Sequence, residues 1–212
     1  MALLTGLSGH EIYCLERKGL APGDLVIGNS VMSMGFVGSI AAGLRTLAGG
    51  EVSQVTSIIH EGRLRAYQRM EREAHGRGDV GITGVSSELV QHGGNVEFLS
   101  IGSGGRESSE PAPTPQEGGA AKPEGFFSTS ADGQELYCQL DAGFTPIRFV
   151  FGNVAYSVGL GGGLLGALRG LGRGEVIEYS QVFNRTRHLA LERITAEAQA
   201  AGANAVVGIR TL

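Results

Sequence analysis

The chain has 212 residues, a net charge of −4 and only 18% charged residues. This balance lacks the basic patch typical of nucleic-acid-binding proteins, so we expect no nucleic-acid partner. Two cysteines in a chain of this length do not form a disulfide framework, and the N-terminal residues lack the basic and apolar regions of a signal peptide. These features indicate a cytoplasmic protein with reduced thiols.

The sequence contains one long segment twice. Residues Gly9 to Val85 align with Gly133 to Ile209 without a gap, and identical residues recur along the whole alignment. Such self-similarity indicates a duplicated structural unit. We therefore predict a first module over residues 1–101, a flexible linker rich in Gly, Pro, Ser and Glu over 102–125, and a second module over 126–212.

In chain order, the first module is predicted to combine short strands with one long helix. The helix is expected from Gln54 to Gly76, where apolar or small residues recur every three or four positions. The strands are expected at Leu3 to Thr5, His10 to Leu15, Asp24 to Ile27, Gly81 to Val90 and Val96 to Ile101.

The second module repeats the same pattern and ends one strand earlier. Its long helix is indicated by an apolar stripe from Val182 to Ala198. Strands are predicted at Phe126 to Thr129, Glu135 to Leu140, Arg148 to Phe151 and Ala205 to Leu212. A counterpart of the strand from Val96 to Ile101 is absent. Either the chain ends early or a neighbour supplies the strand, because an unpaired sheet edge invites pairing.

Several polar residues and glycines recur at equivalent positions in the two modules. An arginine near a helix end with a glutamate six residues later indicates an ion pair or a cap that fixes a turn. We interpret this set as assembly and turn residues: Asn29, Arg45 and Glu51, repeated as Asn153, Arg169 and Glu175. The alternative is a small-ligand pocket at a subunit boundary formed by Asn29 and Arg45 with their copies. Arg69 in the long helix is expected in a solvated surface.

Cys14 and Cys138 also occupy equivalent positions. Symmetry could bring such thiols together at a soft-metal site, since thiolates favour zinc and copper(I). The alternative is that each cysteine is a small buried apolar residue in a strand. His10 is four strand residues from Cys14, about 13 Å at normal strand rise, too far to share one ion. The sequence carries no catalytic triad and no phosphate-binding loop, so no enzymatic activity is predicted.

Two glycine-rich windows, Leu25 to Leu44 and Phe149 to Leu168, carry no charge and have the length of a membrane span. The second places Gly159 and Gly162 in series with further glycines at the spacing of close-packed helices. Both windows are only weakly hydrophobic, so membrane insertion is not favoured. We expect Gly159 and Gly162 to permit close helix packing in a soluble assembly.

The order of these motifs resembles one known family. The shared elements are a G-x-E-I/L start, a V-x-G-N step, a glycine-rich helix, a long amphipathic helix and the closing segment from Ala198 to Ile209. Together they are similar to the YbjQ-like heavy-metal-binding-domain family, and the similarity covers both modules. The resemblance implies an α+β fold in which an antiparallel sheet packs on helices. It also implies pentameric rings with short strands at subunit contacts, and no established reaction.

The resulting hypothesis is a non-enzymatic, ring-forming homo-oligomer that acts as a scaffold or interaction protein. One alternative is a zinc- or copper-binding protein that uses Cys14 and Cys138 at subunit contacts. A second alternative is a membrane-associated glycine-rich ring. Whether the two modules form stacked rings or alternate within one ring is left open.

Overall fold

The computed structural model of the chain describes residues 2–33, 50–92, 94–109, 123–157 and 177–211. The helices are α1 Gly9–Glu16, α2 Ser53–Gly76, α3 Gly133–Asp141 and α4 Ile177–Ala200. The strands are β1 Leu20–Ser33, β2 Gly50–Glu51, β3 Gly81–His92, β4 Asn95–Glu107, β5 Phe127–Ser128 and β6 Tyr156–Ser157. These elements confirm the predicted α+β class.

The main sheet contains strands from both modules. Its order is β1-β4-β3-β5, and β4 pairs antiparallel with both β1 and β3. The second module adds β5, which runs parallel to β3, so the sheet is mixed rather than wholly antiparallel. A smaller antiparallel pair, β2 with β6, also joins one module to the other. Strand pairing therefore connects the modules at two places.

The largest hydrophobic cluster is also shared between the modules. Tyr67 and Met70 of α2 pack there with Val26 of β1 and Ile82 of β3, all fully buried. Phe151 of the second module completes the cluster. Because one cluster spans both modules, the two units share a core and stabilise each other.

The two short strands predicted around the cysteines are wrong, since both segments are helices. The Ser8 hydroxyl accepts a hydrogen bond from the Glu11 N–H, and the Glu11 carboxylate accepts one from the Ser8 N–H, at 3.4 and 2.7 Å. The Asp132 carboxylate caps α3 and accepts from the N–H of Glu135 at 2.8 Å. A capping residue followed three positions later by glutamate starts a helix.

The remaining first-module elements agree better with prediction. The long helix is confirmed, and it begins one residue early at Ser53. The strand predicted from Asp24 lies within the longer β1, and the last strand continues past Ile101 to Glu107. Residues Leu3 to Thr5 form no strand.

Two predicted strands of the second module are also wrong. Residues 148–151 and 205–211 form no strand in the part of the chain that the structure describes. In the first module β4 lies between β1 and β3 and supplies their hydrogen bonds. No described segment occupies that place in the second module, so the equivalent residues lack a strand partner.

Candidate assembly interface

Each module packs an extended segment against its long helix through one glycine. A Cβ atom on Gly28 of β1 would lie 2.0 Å from the carbonyl oxygen of Ala66 in α2. A Cβ atom on Gly152 would lie 2.2 Å from the carbonyl oxygen of Ala190 in α4. Only glycine permits these distances.

Side chains of the long helix then bind the backbone of the extended segment. In the first module Arg69 donates to the carbonyl oxygen of Asn29 at 2.5 Å. The Glu73 carboxylate accepts from the N–H of Ile27 at 2.7 Å. These bonds cover an edge of β1 that no described strand pairs with. Arg69 therefore has a structural contact beyond the solvated surface expected for it.

The second module makes the same two bonds. Arg193 donates to the carbonyl oxygen of Asn153 at 2.5 Å, and the N–H of Phe151 donates to Glu197 at 3.3 Å. The duplicated polar residues therefore attach each extended segment to the helix of its own module.

Further polar bonds join the second module to the first. Arg193 donates to Glu51 at 2.5 Å, and this hydrogen bond lowers the pKa of the Glu51 carboxyl below its usual range. The Thr56 hydroxyl accepts from the N–H of Ala155 at 3.0 Å, and its carbonyl oxygen accepts from the Asn153 side chain at 2.9 Å. The pairing of β2 with β6 lies beside these bonds.

An aromatic cluster forms the apolar part of the module contact. Tyr67 of α2 is fully buried, with the rings of Phe149 and Phe151 centred 6.1 and 6.4 Å away. Its hydroxyl lies 2.6 Å from the hydroxyl of Ser128, and the Arg148 guanidinium lies 5.2 Å from its ring centre. Burial raises the pKa of Tyr67, so the phenol stays neutral.

The contact uses different surfaces of the two modules. The first module supplies the acceptor face of α2, formed by Thr56, His60 and Tyr67. The second supplies the donor segment, residues Phe149 to Ala155. Both surfaces have counterparts in the other module at equivalent sequence positions. The contact is therefore heterologous, in the sense that it leaves one copy of each surface available.

The two counterpart surfaces are exposed. On β1, Ile27 and Val31 take the places of Phe151 and Ala155 and are 46% and 57% exposed. On α4, Leu191 takes the place of Tyr67 and is 40% exposed. Tyr67 and Phe151, by contrast, are 0% and 7% exposed within the module contact. Apolar side chains thus lie uncovered where the same positions in the other module are packed.

The predicted assembly residues are only partly within the described chain. Glu51 and Asn153 lie in the module contact, and Asn29 lies on the exposed counterpart surface, where its amide is 3.4 Å from Glu97. The other predicted residues lie outside the described residues: Arg45, Arg169, Glu175, Gly159 and Gly162. Repetition pointed to Asn153 and Glu51. It could not indicate Tyr67 or Phe151, whose counterparts are different residues.

The cysteines lie on facing helices. Gly133 of α3 contacts the backbone of Glu11 in α1, and Lys18 after α1 binds Asp141 at the end of α3. The helices are therefore parallel, with Cys14 near Cys138. His10 is one helical turn from Cys14, which corrects the 13 Å separation expected for a strand.

The chemistry of this thiol pair is unfavourable for a metal ion. Burial and the neighbouring Cys138 raise the pKa of the Cys14 thiol, which disfavours the thiolate that binds metals. Among the described residues, no group of three or more His, Cys, Asp or Glu side chains is placed to hold a metal ion.

The predicted membrane windows overlap the described chain only in part. Leu25 to Ser33 belong to β1, and the remainder of the first window lies outside the described residues. Within the described ranges, no helix has both the length and the apolar character needed to cross a bilayer.

Comparison with known proteins identifies the module. The sequence profile of the YbjQ family, described as "Putative heavy-metal-binding", matches residues 18–103 and 145–211. The chain is 32% identical to the encapsulin nanocompartment protein Rv1762c of Mycobacterium tuberculosis over 210 residues, which are 97% of this chain and 76% of that protein.

Two further relatives match stretches of about the length of one module. A UPF0145 protein of Pseudothermotoga lettingae is 38% identical over 99 residues, 45% of this chain and 87% of that protein. A UPF0145 protein of Sulfurisphaera tokodaii is 43% identical over 89 residues, 41% of this chain and 72% of that protein. The family profile covers more than half of the chain in two separate segments. The chain therefore belongs to the YbjQ-like family and carries the family module twice.

Proposed function

We propose that this protein is a non-enzymatic, homo-oligomeric scaffold whose chains assemble by repeating the contact between its own modules. The exposed acceptor face of α4 in one chain receives the exposed surface of β1 from the next chain. The observation that carries the proposal is the difference in exposure between Leu191 and its counterpart Tyr67, 40% against 0%. A position that is packed in one copy of a repeat is uncovered in the other.

A heterologous contact propagates from chain to chain until the rotation closes a ring. Modules then alternate around one ring, first and second in turn. The proposal takes five chains, and hence ten alternating modules, from the pentamer that the family resemblance implies. A cytoplasmic location, which fits two unpaired cysteines, is also part of it. The M. tuberculosis relative is named for a nanocompartment, and a self-assembling role for this chain fits that name.

The acceptor face of α4 offers a direct test. Leu191→Glu introduces a carboxylate where the neighbouring chain would bury it without a partner. We expect the contact to weaken by about 2 kcal/mol or more, roughly thirtyfold in association constant. Leu191 is partly exposed in the chain itself, so its stability should change by less than about 0.5 kcal/mol. Sedimentation velocity measures the association, and thermal unfolding measures the stability.

Arg185→Glu is the matched control on the same helix. Its first-module counterpart, Glu61, remains exposed beside the module contact. The control should assemble like the wild-type protein. If Leu191→Glu assembles as well as Arg185→Glu, the proposed contact between chains is wrong.

Soft-metal binding is the second candidate function. It is supported by the position of Cys14 and Cys138 on facing helices, close enough for one thiol to affect the other. A ring would bring further copies of this pair together. The test is the metal content of the Cys14→Ser/Cys138→Ser protein after exposure to zinc or copper(I). Unchanged metal content would exclude these thiols as ligands.

A further inference from the structure

The N-terminal residues of the second module pair with the sheet of the first module. Phe127 pairs with Gly81 in a parallel register, and Phe127 is 1% exposed. The N–H of Gly84 donates to the carbonyl oxygen of Ala131 at 2.8 Å, and that of Val85 to Thr129 at 2.9 Å. These bonds add one parallel strand to the sheet, beside β3.

The first module has an equivalent N-terminal arm, Leu3 to Leu7, whose first two leucines are uncovered, whereas Leu7 packs on the core. Leu3 takes the place of Phe127 and is 47% exposed, and Leu4 is 71% exposed. The arm is nevertheless held in position. The N–H of Leu25 donates to the carbonyl oxygen of Leu4 at 2.6 Å, and the N–H of Leu4 donates to Asp24 at 3.1 Å.

The second module has a matching edge segment, Ala205 to Ile209, at the positions of Gly81 to Val85. Gly208 has a φ of 67°, close to the 62° of its counterpart Gly84, so the backbone bends in the same way. Val207 and Ile209 are 48% and 50% exposed. Within the described residues this segment pairs with no strand.

The side chains of the arm and the edge segment complement each other in size. A Cβ atom on Gly81 would lie 2.2 Å from the ring of Phe127, so the large ring requires a glycine opposite it. At the equivalent positions the ring is replaced by Leu3 and the glycine by Ala205. Pairing these positions would place Leu3, which is smaller than phenylalanine, opposite Ala205, which is larger than glycine, and this conserves the packed volume.

We propose that the N-terminal arm of one chain pairs as a parallel strand with the edge segment of a second chain. This strand addition rests on the proposed function, because it occurs at the same junction as the contact between α4 and β1. The occupant of the edge segment is a second copy of this chain, since the one described strand on the equivalent edge is the equivalent arm. Backbone hydrogen bonds and the pair of Leu3 with Ala205 hold the arm.

Cysteine cross-linking between two differently labelled chains tests this pairing. Both proteins carry Cys14→Ser and Cys138→Ser, and one also carries Leu3→Cys and the other Ala205→Cys. Paired residues in adjacent strands lie within disulfide range. Mixing the proteins with copper phenanthroline should therefore give covalent dimers of the two chains. The matched control pairs Leu3→Cys with Glu61→Cys, an exposed position on α2, and should give at least tenfold less dimer.

Native mass spectrometry of the same mixtures separates the possible outcomes. Oligomers together with selective dimer formation support the strand addition. If oligomers form but Ala205→Cys yields no more dimer than Glu61→Cys, the strand addition is wrong and the proposed assembly stands. If the mixed chains remain monomeric without selective dimers, both proposals are wrong.

Discussion

Single glycines determine how closely each extended segment approaches its helix. Gly28 and Gly152 lie in the V-x-G-N step of each module, and any side chain there would overlap the helix backbone. This geometry brings Asn29 within reach of Arg69 and Asn153 within reach of Arg193. The glycine thus fixes the position of the polar residues beside it.

Gly28→Ala should destabilise the chain by about 1–3 kcal/mol, because the added methyl group overpacks the contact with Ala66. Urea denaturation measures this change in the free energy of unfolding. Gly76→Ala is the control, since a Cβ at this helical position would have nothing within 4 Å apart from its chain neighbours and its own helix backbone. The control should be neutral or stabilising by up to about 1 kcal/mol. Equal effects of the two substitutions would contradict close packing at Gly28.

Glu51 should make stability depend on pH. Arg193 lowers its folded-state pKa, so ionised Glu51 stabilises the folded protein above the usual glutamate pKa of about 4.3. That stabilisation is lost as the pH falls through the lowered pKa, because the Glu51 carboxyl is then protonated in both the folded and the unfolded protein. Glu51→Gln should therefore be less stable than wild type at pH 7, and the difference should shrink in strong acid. If the difference in unfolding free energy between Glu51→Gln and wild type stayed constant from pH 7 to strong acid, this contribution of Glu51 would be excluded.

At the scale of elements, the parallel helices α1 and α3 show that the two modules use different surfaces in their contact. Gly133 of α3 packs on Glu11 of α1, where a Cβ would lie 2.7 Å from the Glu11 backbone oxygen. Gly9, the counterpart of Gly133, has no atom within 4 Å of a Cβ. In the proposed assembly, Gly9 of one chain packs on Glu135 of another chain.

Gly133→Ala and Gly9→Ala should therefore have different effects. Gly133→Ala overpacks the helix pair and should lower the free energy of unfolding of the chain by about 1–3 kcal/mol. Gly9→Ala should leave that free energy nearly unchanged but weaken association between chains. Thermal unfolding and sedimentation velocity, measured on both variants, separate the two effects. Loss of chain stability in Gly9→Ala without any loss of association would contradict the repeated contact.

Sequence patterns predicted the long helices and the strands β1, β3 and β4 of the first module, because their apolar residues recur at regular spacing. They failed at α1 and α3, where capping by Ser8 and Asp132 outweighs a short apolar run. They also failed at residues 205–211, since a strand needs a partner and β4 has no described counterpart there. Comparison of the two repeats shows that the second module lacks a counterpart of this strand, whereas the local pattern at residues 205–211 does not register that loss.

The candidate interface was predictable only where the two modules carry the same residue. Glu51 and Asn153 repeat, and both take part in the module contact. Tyr67 and Phe151 supply its aromatic centre, yet their counterparts are Leu191 and Ile27. These residues differ between the modules for a physical reason. Tyr67 and Phe151 pack together within the chain, whereas Leu191 and Ile27 are exposed.

At the scale of the whole molecule, the proposed assembly makes the chain one repeat of a longer series. Its modules share a core and two strand pairings. The exposed surfaces of α4 and β1 are the sequence counterparts of the surfaces that form the module contact. Small modules bury a limited fraction of their surface alone, so repeated contacts add stability. A closed ring leaves no such surface exposed, whereas an open chain of molecules would leave one at each end.

Native mass spectrometry of the untagged protein tests the central claim most directly, because it reports the number of chains in each particle. Self-assembly through the repeated module contact predicts one dominant oligomer of fixed size, a pentamer by family resemblance, at micromolar concentration. The Leu191→Glu protein should dissociate under the same conditions. A monomeric wild-type protein, or an oligomer unaffected by Leu191→Glu, would contradict assembly through this contact.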